Sequence, residues 1–407
     1  MRRFITTTLA IAIALCAHAQ GNNTGLGGED GDYQSLAERV FKLEKKTKAI
    51  NFYFNYSTSF QINYDGKDWG TSFKNKQARV EIKGDLTKKL SYRFRHRLNR
   101  TNVAQDEDNF AKATDILMVG YQFTEKFGIQ GGKFCKNWGG FEFDENPIYI
   151  YQHSDYVSNM NNFVGGINIS YKPIPTQEFA INVANTYNNK FNTVYGDDPI
   201  GLAYSKTNGT TTEKGLRKLE KSNNPLTYIL FWKGSFFGDR LQTRYGFGIE
   251  TFAKHEYGRT MLIGQKLNLP HFQIYLDYMG TSEGLDRMMI ASNDAAQILE
   301  DAGAGYAMDV RYNSFVSKAN WQFAPQWNLM LKGMYETVSV PKVDVLKDYR
   351  KSYAYMASVE YYPEKTQDFR VFLAYVGRKY DFKKACGLSD YNTNRIELGF
   401  IYRIKIL

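Results

Sequence analysis

The sequence predicts an all-β fold, a transmembrane antiparallel β-barrel of about 16 strands with a short N-terminal coiled-coil helix. From Asn51 onward the chain consists of segments in which apolar and polar residues alternate, as in strands whose two faces meet different surroundings. Tight turns alternate with long connections, so all long connections lie on one rim of a closed barrel. Aromatic residues make up 15% of the chain although its mean hydropathy is −0.49, as expected when only every second residue faces lipid.

Residues 1–19 have the layout of a secretory signal peptide. Arg2 and Arg3 form its basic start, and Ala17 and Ala19 its small-residue cleavage site. The apolar stretch between them is too short to cross a bilayer as a helix. We therefore expect the mature chain to be exported.

Two short segments separate the signal from the first strand. Residues 20–32 are rich in Gly, Asn and acids, and we interpret them as a flexible lead-in. Residues 33–50 place apolar side chains at both core positions of a heptad, which predicts a short periplasmic coiled coil. So few heptads are not stable alone, so the helix either joins the subunits of an oligomer or packs on the body of the protein.

The strands of the barrel begin at Asn51 and continue to the C-terminus, giving a domain of residues 51–407. The first strand places Phe52, Phe54 and Tyr56 on one face and Asn55 and Ser57 on the other. We predict strands near 51–64, 73–84, 88–99, 113–123, 126–136, 162–172, 176–187, 226–236, 240–252, 258–268, 271–281, 306–323, 326–339, 352–362, 368–380 and 393–406. The count is even, as single-chain bacterial barrels require.

The connection from about 137 to 161, called the constriction loop below, is unusual because it interleaves aromatic and acidic residues. We expect it to fold into the mouth of the barrel, because its aromatic rings are more stable when buried and its acidic side chains when hydrated. An external surface loop is the alternative. The residues selected for the constriction are Trp138, Phe141, Glu142, Asp144, Glu145 and Asp155.

A row of three arginines in the third strand is the clearest basic feature. Arg93, Arg95 and Arg97 are spaced by two, so a strand directs all three side chains to the same side, about 7 Å apart. Forked guanidinium groups suit an anionic solute passing along the wall. A charged lumen face that only balances acids is the alternative. The other predicted pore-lining residues are Arg79, Lys83, Lys133, Arg395 and Arg403.

The signal peptide, the coiled coil, the sixteen-strand pattern and the block GGKFCKNWGGFEFDENPIYIYQHSD after the fifth strand together resemble the phosphate-selective porin family. The resemblance implies a homotrimer in the outer membrane of a Gram-negative bacterium, each subunit containing a pore narrowed by its third outer loop and lined by basic residues. Between Lys136 and Phe163 this loop carries acids and no Lys or Arg. If those acids face the arginine row, the constriction has a transverse field.

The expected function is passive diffusion of small hydrophilic solutes, with a preference for anions and with phosphate as one possible solute. The net charge of +10 agrees with small anionic or polar solutes and with outer-membrane lipid as partners, and an exported chain is not expected to meet nucleic acid. A surface adhesin or receptor acting through the long loop 188–225 is the alternative.

An enzyme is not expected, because the sequence contains no nucleophile motif, phosphate loop or metal-ligand spacing. No cofactor, metal or catalytic residue is therefore predicted. A barrel-borne hydrolase using His153 and Asp155 is the weakest alternative. Cys135 and Cys386 lie far apart in the strand order, so we expect them to be unpaired.

Overall fold

The computed structural model describes residues 49–138, 140–207, 210–298, 305–364 and 368–406, with the backbone alone between 203 and 216. The predicted signal peptide (1–19), the lead-in (20–32) and nearly all of the coiled coil (33–50) lie outside these residues.

The strands are β1 (Asn51–Tyr64), β2 (Trp69–Asp85), β3 (Leu90–Arg97), β4 (Thr114–Gln122), β5 (Phe127–Cys135), β6 (Phe163–Ile174), β7 (Gln177–Asn185), β8 (Ile200–Thr207), β9 (Thr210–Lys218), β10 (Leu226–Phe236), β11 (Leu241–Thr251), β12 (Tyr257–Leu269), β13 (Phe272–Leu285), β14 (Tyr306–Ala324), β15 (Trp327–Ser339), β16 (Arg350–Tyr361), β17 (Asp368–Phe382) and β18 (Tyr391–Lys405). Sixteen of them form the barrel, each antiparallel to its neighbours, and β18 pairs with β1 to close it. The prediction of sixteen strands is confirmed. The other two, β8 and β9, form a hairpin within the loop between β7 and β10.

The helices are short and lie in the connections. They are α1 (Phe141–Asp144), α2 (Asp155–Asn159), α3 (Phe191–Tyr195) and α4 (Ile290–Ile298), with single 3₁₀ turns at Pro147–Tyr149, Asp344–Leu346 and Lys384–Cys386. Of the helices in the described ranges, none has both the length and the apolar character needed to cross a membrane.

The distribution of polarity is the reverse of that in a water-soluble domain. In β1 the inward side chains of Asn55, Ser57 and Gln61 are buried, while the outward Phe60 is exposed. The same holds around the barrel, where outward Leu, Ile, Phe and Tyr side chains are exposed and inward charged side chains are buried. Apolar surface on this scale requires an apolar solvent, so the outer face is a lipid-facing surface.

The interior of the barrel is filled on one side. The constriction loop and α4 both lie inside, where their apolar side chains form one buried cluster with residues of the wall, among them Trp138, Ala291 and Ala295. The sequence predicts strands near 271–281 and 306–323 and no helix in the long connection between them. The structure differs because β13 extends to Leu285 and α4 then turns inward. Cys135 and Cys386 are free thiols.

Candidate functional site: the constriction of the lumen

The constriction loop lies against the inner face of β11, β12 and β13. Small residues on two of these strands make room for its rings. A side chain at Gly248 would come within 2.5 Å of the Trp138 ring, and one at Gly264 within 3.2 Å of the Phe141 ring. Phe141 also stacks on Tyr275, with 5.9 Å between ring centroids. The wall is therefore shaped to hold the start of the loop.

Glu142 fixes the centre of the loop. Its carboxylate accepts hydrogen bonds from Ser154 N at 2.9 Å and Ser154 Oγ at 2.7 Å, and lies 2.6 Å from Lys332 Nζ on β15. Burial by itself would raise the pKa of Glu142, but the charges of Lys332 and His153 and these hydrogen bonds hold that pKa at about 2. Glu142 is thus ionised and fully engaged on the side of β15.

The other acids of the loop are used in the same way. Asp144 pairs with Arg244, Glu145 with Lys318, and Asp155 with Arg350 and Arg378. All of these cations belong to β11 and β14–β17, which we call the far wall because it stands across the lumen from β2–β5. Glu142, Asp144 and Asp155 therefore turn away from the arginine row, whereas Glu145 pairs with Lys318 and still lines a cavity that Arg79 and Arg97 also line. The first three acids do not contribute to the conditionally expected transverse field, because the far wall offers them closer partners.

The arginine row on β3 is divided between two carboxylates. Arg93 pairs with Glu81 at 2.8 Å. Asp115 is shared by three guanidinium groups, those of Arg97 at 2.7 Å, Arg95 at 3.3 Å and Arg79 at 3.5 Å. One carboxylate cannot neutralise three cations, so positive charge is in excess here.

The remaining predicted wall residues lie in two places. Lys133 faces the same region as Asp115 and pairs with Asp108 at 3.5 Å. The other three line the lumen along β1, β2 and β18. Lys83 lies over the ring of Tyr53, Arg395 pairs with Glu397, and Arg403 lies 3.7 Å from the centroid of the Tyr53 ring and 3.7 Å from Glu81.

A cavity of about 520 Å³ separates β2–β5, which we call the cationic wall, from the constriction loop. Six cationic side chains line it, with two carboxylates, Asp115 and Glu145. The cations are Lys76, Arg79, Arg97, Arg100, Lys112 and Lys133. This cavity is the space inside the barrel between the cationic wall and the loop.

Sequence reasoning missed several residues of this site. Lys76, Arg100, Lys112 and the central Asp115 were not selected. Lys76 and Asp115 sit at register shifts, one between β1 and β2 and one between β3 and β4, and such a shift changes the face on which a side chain lies. Arg100 and Lys112 lie in a long loop, where no periodicity indicates direction.

The weak hydrolase alternative finds no support in the geometry. Asp155 is directed to Arg350 and Arg378, whereas the ring of His153 lies 4.0 Å from Glu142. These two side chains do not form an acid–base pair. Within the described ranges, no group of three or more His, Cys, Asp or Glu side chains could hold a metal ion.

A second ion-pair cluster lies behind the loop. Arg287, just before α4, pairs with Glu250 at 2.6 Å and Glu283 at 3.3 Å, all three being buried. Arg350 then joins the two inner segments, because it pairs with Asp294 of α4 at 2.9 Å and with Asp155 of the constriction loop at 3.3 Å. The loop and α4 are therefore held by one network.

Comparison with known proteins gives a consistent result. The family model for phosphate-selective porin O and P matches residues 50–404. Among solved structures, the chain is similar to the outer membrane channel DcaP of Acinetobacter baumannii, with 11% identity and a TM-score of 0.57 over 87% of this chain and 97% of that one. The anion-selective porin from Comamonas acidovorans has 9% identity and a TM-score of 0.54 over 87% and 99%. The trimer form of OmpT from Vibrio cholerae has 11% identity and a TM-score of 0.52 over 87% of this chain and 99% of that one. No curated protein matches.

Proposed function

The chain belongs to the phosphate-selective porin O and P family, outer-membrane channels of Gram-negative bacteria, and we propose that this channel for small solutes prefers anions. The observation that carries the proposal is the charge around the cavity. Six cations line it with two carboxylates, and they remain in excess after the pairing of Lys76 with Glu397 and of Lys133 with Asp108 is included. Fixed positive charge in a narrow aqueous passage raises the local concentration of anions and repels cations.

The position of the loop acids supports the same conclusion. Had Glu142, Asp144 and Asp155 faced the cavity, they would have offset part of the positive charge of the cationic wall. Instead they pair with the far wall. In this proposal Arg79, Arg97 and Lys133 guide the solute, and Arg93, Arg95 and the residues nearer the short-turn rim extend the charged path.

A second cavity supports a path along β3–β6. It has a volume of about 500 Å³, lies at the short-turn rim, and includes Lys88 and Lys89 in the β2–β3 turn. Small inward residues, among them Ser91, Gly120 and Ser170, leave this space free. We propose that solutes leave the constriction along this side of the barrel.

We also propose a homotrimer whose subunits meet at β3–β5. These strands have eight, nine and nine residues, about the minimum that crosses a bilayer, whereas β14 has nineteen. His96 faces outward here and bonds Thr114 through its ring nitrogen at 3.1 Å. A polar ring is costly against lipid and tolerable against a neighbouring subunit.

Reversal potentials of single channels in a KCl gradient test the proposed function. A preference for chloride supports it, and a preference for potassium would contradict it. Deleting residues 140–160 should also raise the conductance and admit larger solutes, because the loop fills part of the lumen. An unchanged conductance in a folded variant would mean that the loop does not limit the passage.

A further inference from the structure

The two sides of the cavity differ in chemical character. The cationic wall contributes the six Lys and Arg side chains described above. From the constriction loop, the side chains that line the cavity include the half-buried Pro147 and Ile150 and the amides of Gln152, Asn161 and Asn162. A solute in the cavity therefore meets charge on one side and uncharged surface on the other.

The two ionisable side chains on the loop side do not change this contrast. Both carboxylate oxygens of Glu145 are engaged, one with Lys318 and the other with the Tyr275 hydroxyl at 3.5 Å. Burial lowers the pKa of His153 to about 4, so its ring is neutral near pH 7. The loop side thus carries no positive charge that could hold an anion from behind.

The cationic wall has donors available for an oxyanion. Arg79 is 3% exposed and lines the cavity; its Nη1 atom lies 3.5 Å from Asp115, and its Nε atom donates no hydrogen bond among the described residues. Buried guanidinium donors are normally satisfied, so this side chain is suited to an incoming acceptor. The acceptor must approach from the cavity side.

On the basis of the proposed anion channel, we propose that its preferred solutes are organic anions, with one anionic group and an uncharged, partly apolar body. The anionic group lies against Arg79 and Arg97, and the body lies along Ile150 and Pro147. Inorganic phosphate has oxygens on every side and needs donors all around it, whereas the loop side offers it amides but no charged donor, and Pro147 and Ile150 offer none. An organic body that displaces water from this apolar surface lowers the free energy of the bound solute.

Three fully ionised anions in a planar bilayer test this proposal. Benzenesulfonate and methanesulfonate share a headgroup and differ in the body, and inorganic phosphate has no apolar body. We expect benzenesulfonate to block the chloride current at a concentration about fivefold lower than methanesulfonate or phosphate, because only one side of the ring is covered. Ile150→Asn should abolish that difference, and Ile174→Asn, the same change at an exposed short turn, should preserve it.

Arg79→Gln should weaken the block by all three anions, since it removes the shared headgroup contact. Equal block by the three anions in the wild-type channel, or strongest block by phosphate, would overturn the proposal while leaving anion preference intact. A wild-type channel that prefers potassium would instead overturn the proposed function itself.

Discussion

Replacing Arg97 by Gln should lower the anion preference of the channel about threefold in 0.1 M salt. The variant is expected to fold, because Asp115 keeps Arg95 at 3.3 Å and Arg79 at 3.5 Å and is not left as an unpaired buried charge. A unit charge about 7 Å from a permeating ion changes the energy of that ion by about 0.6 kcal/mol in a water-like dielectric. The sign is opposite for anion and cation, so the permeability ratio changes by about 1.2 kcal/mol, or roughly eightfold.

Screening by the salt in solution reduces this eightfold change in the permeability ratio. The Debye length is about 10 Å at 0.1 M, which roughly halves the interaction and gives a threefold change. Reversal potentials in KCl gradients measure the ratio directly, and the effect should grow as the salt is diluted. Arg259→Gln, which removes the same charge from an outward position on β12, is the control. An unchanged reversal potential for Arg97→Gln, or an equal shift for both variants, would refute the reasoning.

Three further predictions follow from the loop and the termini. Glu142→Gln should loosen the constriction loop and destabilise the protein by about 3–5 kcal/mol, because Lys332 loses its charged partner. Increased current noise and a lower thermal unfolding temperature would show this, and the exposed Glu125→Gln is the control. Wild-type noise and stability in Glu142→Gln would contradict the prediction. Because the pKa of His153 is about 4, its ring should add to the anion preference only below about pH 4, so wild type and His153→Gln should have the same anion preference from pH 7 to pH 5; a difference that appears near pH 6.5 would indicate an ordinary histidine. The predicted coiled coil should hold the oligomer together. Changing Leu36, Val40 and Leu43 to Ser should therefore lower the temperature at which oligomers dissociate on gels. A wild-type protein that runs as a monomer would contradict this.

The barrel could be predicted because the polarity of each strand residue reflects whether it faces outward to lipid or inward to the lumen. In β18, Ile396 and Leu398 face outward while Glu397 and Arg403 are buried, and this alternation is visible in the sequence alone. Strand number and the sorting of the turns follow from it. What the sequence does not contain is the pairing of inward charges, because the partners of Glu142 and Asp155 are nearly two hundred residues away or more.

The inward fold of α4 shows the same limit. Ala291 and Ala295 are completely buried, and their spacing of four residues is the only local sign that this segment packs closely. The inner glycines of β11 and β12 were a further usable sign, because a glycine on the lumen face leaves space for another segment. Neither pattern says which segment fills the space.

The distance along the chain between the loop and its partners has a consequence for biogenesis. Glu142 and Lys332 are separated by 190 residues, and Asp155 and Arg378 by 223. Contacts of such long range form late, since the intervening chain must first be brought into place. If strands enter the membrane in chain order, Asp144 meets Arg244 when β11 is in place, whereas Glu142, Glu145 and Asp155 stay unmatched until the last third of the protein arrives. The lumen then packs and the seam between β1 and β18 closes as nearly simultaneous events, so a truncated barrel would carry a loose, negatively charged loop and not a narrowed pore.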